Sequence, residues 1–345
     1  MSFFLLTDIG GTHVRFSVYD GQTSSQSERY ATQDFLTFED AVQHYLIMKN
    51  IVLSGMIIGA AGVRQHNCVR LTNCPWIIDT ELLKNRFHID KVVLLNDFAL
   101  QGLGVLQCET SDYVLIGEMD NLPIGPKVII GAGTGLGVCF LTSDMTNQHH
   151  VFESEGGHIT ASGVTPIMRM IIQKANEKLP HVSYERFVSG PGLMFLYQII
   201  GENYQEWSHH LLSDEMLKMQ RAWDFIPTSS MNDKWQIVSK PPEITQLAEQ
   251  GNEIALMTWW LFFEFLGVFC ADMALTLKTT GGVYLVGDLL KQPFIAKMLQ
   301  RSYIRKMFEV KGRFSKFMKQ TPLMLVTKND IPLCGLTYIA KNIWK

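Results

Sequence analysis

Charge imbalance, paired cysteines and a targeting segment are all missing from this 345-residue sequence. Its 30 lysines and arginines against 33 aspartates and glutamates leave a net charge of −3. That balance gives no long-range pull toward nucleic acid or an anionic lipid surface. The six cysteines, Cys68, Cys74, Cys108, Cys139, Cys270 and Cys334, are scattered, with no C-x-x-C and no neighbouring histidine at metal-ligand spacing. They read as thiols in a reducing compartment. The apolar run at residues 3–6 has no basic stretch before it and no cleavage site after it, so it predicts a buried strand instead of a signal peptide. Residues 254–277 are apolar over a length that would fit a membrane span. Glu264 and Asp272 fall inside that run, however, and no lysine or arginine cluster flanks it. Both features favour a central helix buried on most of its surface.

What is present is an alternation of strand and helix patterns. With 47% apolar and 18% charged residues, the chain has ordinary globular composition and a length suited to two packed lobes. Residues 3–7 and 14–19 read as strands joined by a glycine turn at Gly10-Gly11. A helix is predicted over 37–48, opened by Thr37 with Glu39 and Asp40 in its first turn. Strands follow at 55–59 and 91–95, with Asp79 capping a helix between them. The strand at 127–130 runs into Gly131-Ala132-Gly133-Thr134-Gly135-Leu136-Gly137, and 138–141 continues as a strand. This is a second glycine-tipped hairpin, which suggests an internal repeat of one nucleotide-handling module. Helices are predicted over 166–178 and 192–200, an irregular stretch over 225–242, strands at 282–287 and 323–326, and a closing helix from about residue 333. The alternation predicts an α/β class.

Asp8-Ile9-Gly10-Gly11-Thr12 sets a carboxylate at a strand end before two residues without Cβ. Such a loop can form a nest of backbone N–H groups for an anion, with Thr12 adding a hydroxyl and Asp8 an oxygen for hydrated Mg²⁺. The segment from Gly131 to Gly137, with Thr134, is a second nest. Each glycine loop alone also fits a plain hairpin turn; two, each after a buried strand, suit a triphosphate. Asn96-Asp97 emerges from an apolar strand at the end where open α/β sheets hold ligands. Asp97 is either a helix cap or, beside a phosphate grip, a general base for an acceptor hydroxyl. Glu155-Gly156-Gly157-His158 reads as a polar binding loop suited to sugar hydroxyls. Glu185 is a third sugar contact or a solvated charge, and His149-His150 reads as an exposed hairpin end.

D-I-G-G-T at Asp8, L-T-N at Leu71, N-D-F at Asn96, G-A-G-T-G-L-G at Gly131, E-G-G-H at Glu155, E-R-F-V-S-G-P-G-L at Glu185 and G-G-V-Y-L-V-G at Gly281 occur in this order along the chain. In this order the sequence resembles the bacterial ATP-dependent glucokinases of the hexokinase–actin, ribonuclease H-like fold. The resemblance implies a small α/β domain, residues 1–107 completed by 325–345, and a larger α+β domain, 108–324, closing a cleft over the sugar. It implies Asp97 as the base at the glucose 6-hydroxyl, and Asn96, Glu155, His158 and Glu185 as ligands of the other hydroxyls. Asp8, Gly10, Gly11, Thr12, Gly131, Gly133, Thr134, Gly135 and Gly287 would surround the nucleotide, with Asp8 reaching Mg²⁺ through water. ATP, Mg²⁺, a cytoplasmic location and a homodimer are implied with them, and no nucleic acid or membrane partner. The rival readings are a kinase for another hexose and a sugar sensor without turnover; an intact Asp97 favours turnover. The chain departs from the family pattern at His13, usually asparagine, at Gly59-Ala60-Ala61-Gly62, where a proline is frequent, and at Asp288, where a second glycine is usual. Asp288 is expected to turn its carboxylate to the ribose.

Overall fold

The first strand, β1 (Phe3–Ile9), is apolar on both faces because both faces are covered. Phe4 and Leu6 join one buried cluster, and Leu5 and Ile9 another. The computed structural model describes residues 3–343 except 66, 72–73, 120–121, 147, 209–211, 227–231 and 233. These residues fall into two units, one of residues 1–112, 151–153 and 328–345, the other of 113–150 and 154–327.

In the first unit β1 pairs antiparallel with β2 (His13–Tyr19), which pairs with β3 (Glu28–Ala31). On its other side β1 runs parallel to β4 (Leu53–Ala60). A small antiparallel sheet of β5 (Gly62–Gln65), β6 (Cys68–Leu71) and β7 (Ile77–Asp79) was not signalled by the sequence. The main sheet ends in β8 (Lys91–Asn96), giving the order β3-β2-β1-β4-β8. Thr72 and Asn73 of the L-T-N motif lie outside the described residues. Helix α1 (Phe38–Lys49) covers one face with Phe38, Val42 and Tyr45, and the Thr37 hydroxyl caps it by accepting the Asp40 N–H at 3.2 Å. Asp79 caps α2 (Thr80–Phe87), accepting from Glu81 and Leu82. The other face holds α3 (Asp97–Val105) and the closing helix (Ile331–Ile343), which begins two residues before the expected position. Those two helices touch backbone to backbone: a Cβ on Gly104 would lie 2.2 Å from the Ile331 carbonyl, and one on Gly335 2.2 Å from that of Leu100.

The second unit repeats the plan. Its sheet has the strands β9 (Tyr113–Leu115), β10 (Lys127–Ala132), β11 (Leu136–Ser143), β12 (His149–Ser154, of which 151–153 count with the first unit), β13 (Gly282–Val286) and β14 (Leu323–Val326), in the order β12-β11-β10-β13-β14-β9. As with β1, β10 pairs antiparallel with the next strand and parallel with the strand after a crossover. Stripped of β9, the two strand orders correspond one to one, so the expected internal repeat is present. Helices α4 (Pro166–Asn176), α5 (Gly190–Ser208), α6 (Ser213–Ala222), α7 (Pro241–Glu249) and α8 (Glu253–Thr276) build its core. Of these, α5 is twice the expected length, and the irregular stretch at 225–242 lies partly outside the described residues. The Asn252 side chain caps α8, and Trp259, Trp260, Phe262, Phe263 and Phe265 point to every side of it. All are buried, as is Glu264 at 1% exposure. The long apolar run is therefore this unit's central helix.

Candidate functional site

In the first unit the parallel register sets Ile9, Ala60 and Asn96 in one row at the carboxyl ends of β1, β4 and β8. Asp97 follows that row and Asp8 precedes it by one residue, with β4 alone between their strands. Two strand spacings of about 4.8 Å and a two-residue offset of about 3.3 Å per residue set the Asp8 and Asp97 Cα atoms roughly 12 Å apart. The strand between them must be bare there: a Cβ on Gly59 would lie 2.0 Å from a Leu100 methyl. Burial pushes the Asp8 carboxyl up to about 6. The Arg15 guanidinium opposes that rise, and the charges of Asp97 and Asp330 add to it. Arg15 was not singled out from the sequence, although the hairpin register sets it directly opposite Asp8. Its guanidinium stands 3.9 Å from Asp8 and 3.4 Å from Asp330.

The helix cap at the end of β8 is Asn96, not Asp97. Asn96 Oδ1 accepts the N–H groups of Phe98 at 2.8 Å and Ala99 at 3.4 Å. Only its amide N–H groups therefore stay available to a ligand, so Asn96 suits a hydroxyl that accepts. Asp97 is the first residue of α3. Its Oδ1 accepts from Phe98 N–H at 2.9 Å.

The loop of Gly10, Gly11 and Thr12 is closed by Gly10 N–H donating to His13 C=O at 2.9 Å. His13, the departure from the family pattern, takes a defined part in it. Its Nδ1 lies 2.8 Å from Thr12 Oγ1 and 3.0 Å from Arg29 Nη2. Because a guanidinium can only donate, Nδ1 is the acceptor and the ring hydrogen sits on Nε2. A histidine here thus tethers a cation from β3 beside the loop.

In the second unit the glycine loop is shorter than the sequence suggested. Gly131 pairs with Gly137 inside the β10–β11 ladder, so Gly131 is a strand residue and the turn is Gly133-Thr134-Gly135 alone. Gly133 N–H donates to Gly135 C=O at 2.9 Å, and Gly190 N–H donates to Gly133 C=O at 2.7 Å. Gly287 follows β13 at φ 109°, and a Cβ there would lie 2.9 Å from the Ala132 carbonyl; only glycine fits. The Asp288 carboxylate, expected at a ribose, is 88% exposed and paired with Lys291 at 2.9 Å.

Three sugar-ligand candidates gather in this unit. Glu155 precedes the turn Gly156–His158, and Glu185 lies in the turn Tyr184–Arg186. His158 Nε2 is 3.8 Å from Glu155 and its Nδ1 is 3.9 Å from Glu185, which sets the ring between two carboxylates. Glu185 is not a solvated charge: its Oε2 accepts the Leu136 N–H at 2.9 Å. Glu155 is the opposite, 89% exposed. His149 and His150, read as an exposed hairpin end, are half-buried and bonded to Ser143 and Asp144.

Among the described residues no group of three or more His, Cys, Asp or Glu side chains is built as a metal cage. A magnesium ion carried by a triphosphate needs none, since phosphates and water fill most of its shell. The part-buried Asp8 carboxylate, a hard oxygen donor 20% exposed, fits that limited task.

The glucokinase family model matches residues 5–343. The chain is similar to the glucokinase of Helicobacter pylori strain J99, with 30% identity across 98% of this chain and 95% of that one. It is also similar to that of Nitrobacter hamburgensis, with 28% identity across 96% and 95%. Among solved structures it superposes on a glucokinase from an Antarctic psychrotroph with a TM-score of 0.78 at 26% identity, over 99% of both chains. A Balamuthia mandrillaris glucokinase in complex with glucose shares the fold, with a TM-score of 0.73 at 20% identity over 99% and 94%. By the extent of the family match, the chain belongs to the glucokinase family.

Proposed function

We propose that this glucokinase-family chain carries out the ATP-dependent phosphorylation of glucose with Asp97 as general base at the 6-hydroxyl. The observation that carries the reading is the row of strand ends in the first unit, where Asp97 and Asp8 leave parallel strands flanking the bare Gly59. Asp97 takes the proton of the 6-hydroxyl as its oxygen bonds to the γ-phosphorus, and the bond to the β-phosphate oxygen breaks to release ADP. Asn96 donates to a neighbouring hydroxyl, while Glu155, His158 and Glu185 orient the remaining ones. Gly11, Thr12, Thr134, Gly135 and Gly287 line the nucleotide phosphates with backbone N–H groups and the Thr134 hydroxyl, while Gly10 and Gly133, whose N–H groups close their own loops, let the phosphates come close to the backbone. Gly131, paired with Gly137 in the ladder, leads the strand into the Gly133–Gly135 loop. Asp8 would hold a water of the magnesium that accompanies ATP, which would supply positive charge beside the transferring phosphoryl group. The family resemblance also supports a cytoplasmic location and a homodimer, which fractionation and analytical ultracentrifugation test.

Asp97→Asn tests the central role. The amide still bonds a hydroxyl but cannot take its proton, so glucose binding by calorimetry is retained and kcat falls by roughly 10²–10⁴. A variant that keeps more than about a tenth of wild-type kcat rejects Asp97 as the base.

A further inference from the structure

The two oxygens of Glu185 have different neighbours. Oε2 accepts the N–H of Leu136, the residue that ends the Gly133–Gly135 turn. Oε1 faces His158 at 3.9 Å. The space around Oε2 is reserved for this bond, because a Cβ on Gly135 would stand 2.7 Å from it. The turn carrying Glu185 is itself firmly held. Ser189 Oγ donates to the Glu185 carbonyl at 2.8 Å and accepts the Gly192 N–H at 2.9 Å. The neighbouring Tyr184 is buried and bonds Ser162 and Asp272. Directly after it, Gly190 N–H reaches the Gly133 carbonyl. One short segment therefore grips both ends of the second glycine loop and carries a carboxylate shared with the His158 side.

We infer that Glu185 is a positioning residue for the nucleotide-side glycine loop as well as a sugar ligand, and that it couples hexose binding to nucleotide binding. The inference rests on the reading of Glu185 as a sugar contact. A sugar hydroxyl donating to Oε1 fixes the carboxylate and with it the Leu136 N–H. A loop set for a phosphate holds Oε2 and pre-orients Oε1. Coupling of this kind is reciprocal in the binding free energies.

Three substitutions separate the parts, each checked for native circular dichroism, with glucose and a non-hydrolysable ATP analogue titrated separately. Glu185→Ala weakens glucose by about tenfold or more, the loss of a bond to a charged group, and weakens the analogue in sugar-free protein by several-fold. Glu185→Gln, whose carbonyl can still accept from Leu136, restores analogue affinity but not glucose affinity. Gly135→Ala, in the glycine loop, weakens glucose by displacing Oε2. Unchanged glucose affinity in Glu185→Ala overturns the sugar contact itself. Weakened glucose with unchanged analogue affinity in Glu185→Ala, or an unaltered glucose affinity in folded Gly135→Ala, overturns the coupling and leaves the sugar contact standing.

Discussion

Replacing Glu264 by glutamine should make the protein more stable at alkaline pH. Glu264 sits in the middle of α8 at 1% exposure, and neither carboxylate oxygen has a hydrogen-bond donor facing it. Its neighbour Glu215 is already committed, accepting from Trp260 Nε1 at 3.0 Å and from Lys218. Only a protonated Glu264 can hydrogen-bond to Glu215, by donating. Burial first, and the Glu215 charge second, push the Glu264 carboxyl from 4.5 up to about 8, against the pull of Lys218 and Lys306. The folded state then holds a proton that the unfolded chain releases near 4.5. Stability from this group is complete below about 4.5, falls as pH rises toward 8, and is level beyond. At 1.36 kcal/mol per pH unit, the whole loss is on the order of 5 kcal/mol. An amide at 264 donates to Glu215 at every pH and escapes that loss. Guanidinium midpoints followed by tryptophan fluorescence should nearly agree for wild type and Glu264→Gln at pH 5. By pH 8.5 the variant should lead clearly, by several kcal/mol. A difference between the two midpoints that stays constant from pH 5 to 9 would refute the protonated carboxyl.

Two further outcomes concern the site. Glu155→Gln and His158→Ala raise the KM for glucose by roughly ten- to a hundredfold and move the KM for ATP much less; equal rises for both substrates would reject them as sugar ligands. Asp288→Gly changes the KM for ATP by less than about threefold, because an exposed pair such as Asp288–Lys291 contributes little. A tenfold change in either direction would mean that the carboxylate meets the nucleotide.

Most local features were legible in the sequence because their causes are local. Thr37 and Asp79 cap the helices they were expected to cap, and both glycine-tipped hairpins form. The mostly apolar α8 is buried because no face of it is polar enough for water. The expected repeat could be read because each copy opens with the same strand–glycine–strand signal. What escaped depends on partners far along the chain. β5, β6 and β7 are strands of three or four residues with little periodicity to detect. Glu185 and Leu136 are 49 residues apart, so propensity could not distinguish a buried anchor from a surface charge. Gly131 looked like part of the turn because composition cannot separate a ladder glycine from a loop glycine. Asn96 and Asp97 are both good caps, and only coordinates decide which one takes that task. Arg15 was recoverable, since counting across the first hairpin sets it opposite Asp8.

The close crossing of α3 and the closing helix bears on synthesis at the ribosome. Leu100 and Leu103 pack with Leu336, Ile339 and Ala340, which lie at the far end of the chain from the strands they cover. While translation proceeds, the nascent sheet holding Asp8 and Asp97 has one apolar face open to solvent and chaperones. The second unit, contiguous apart from three residues, can collapse first although it emerges later. Asp97 therefore reaches its finished setting only after the closing helix has left the exit tunnel and packed against α3.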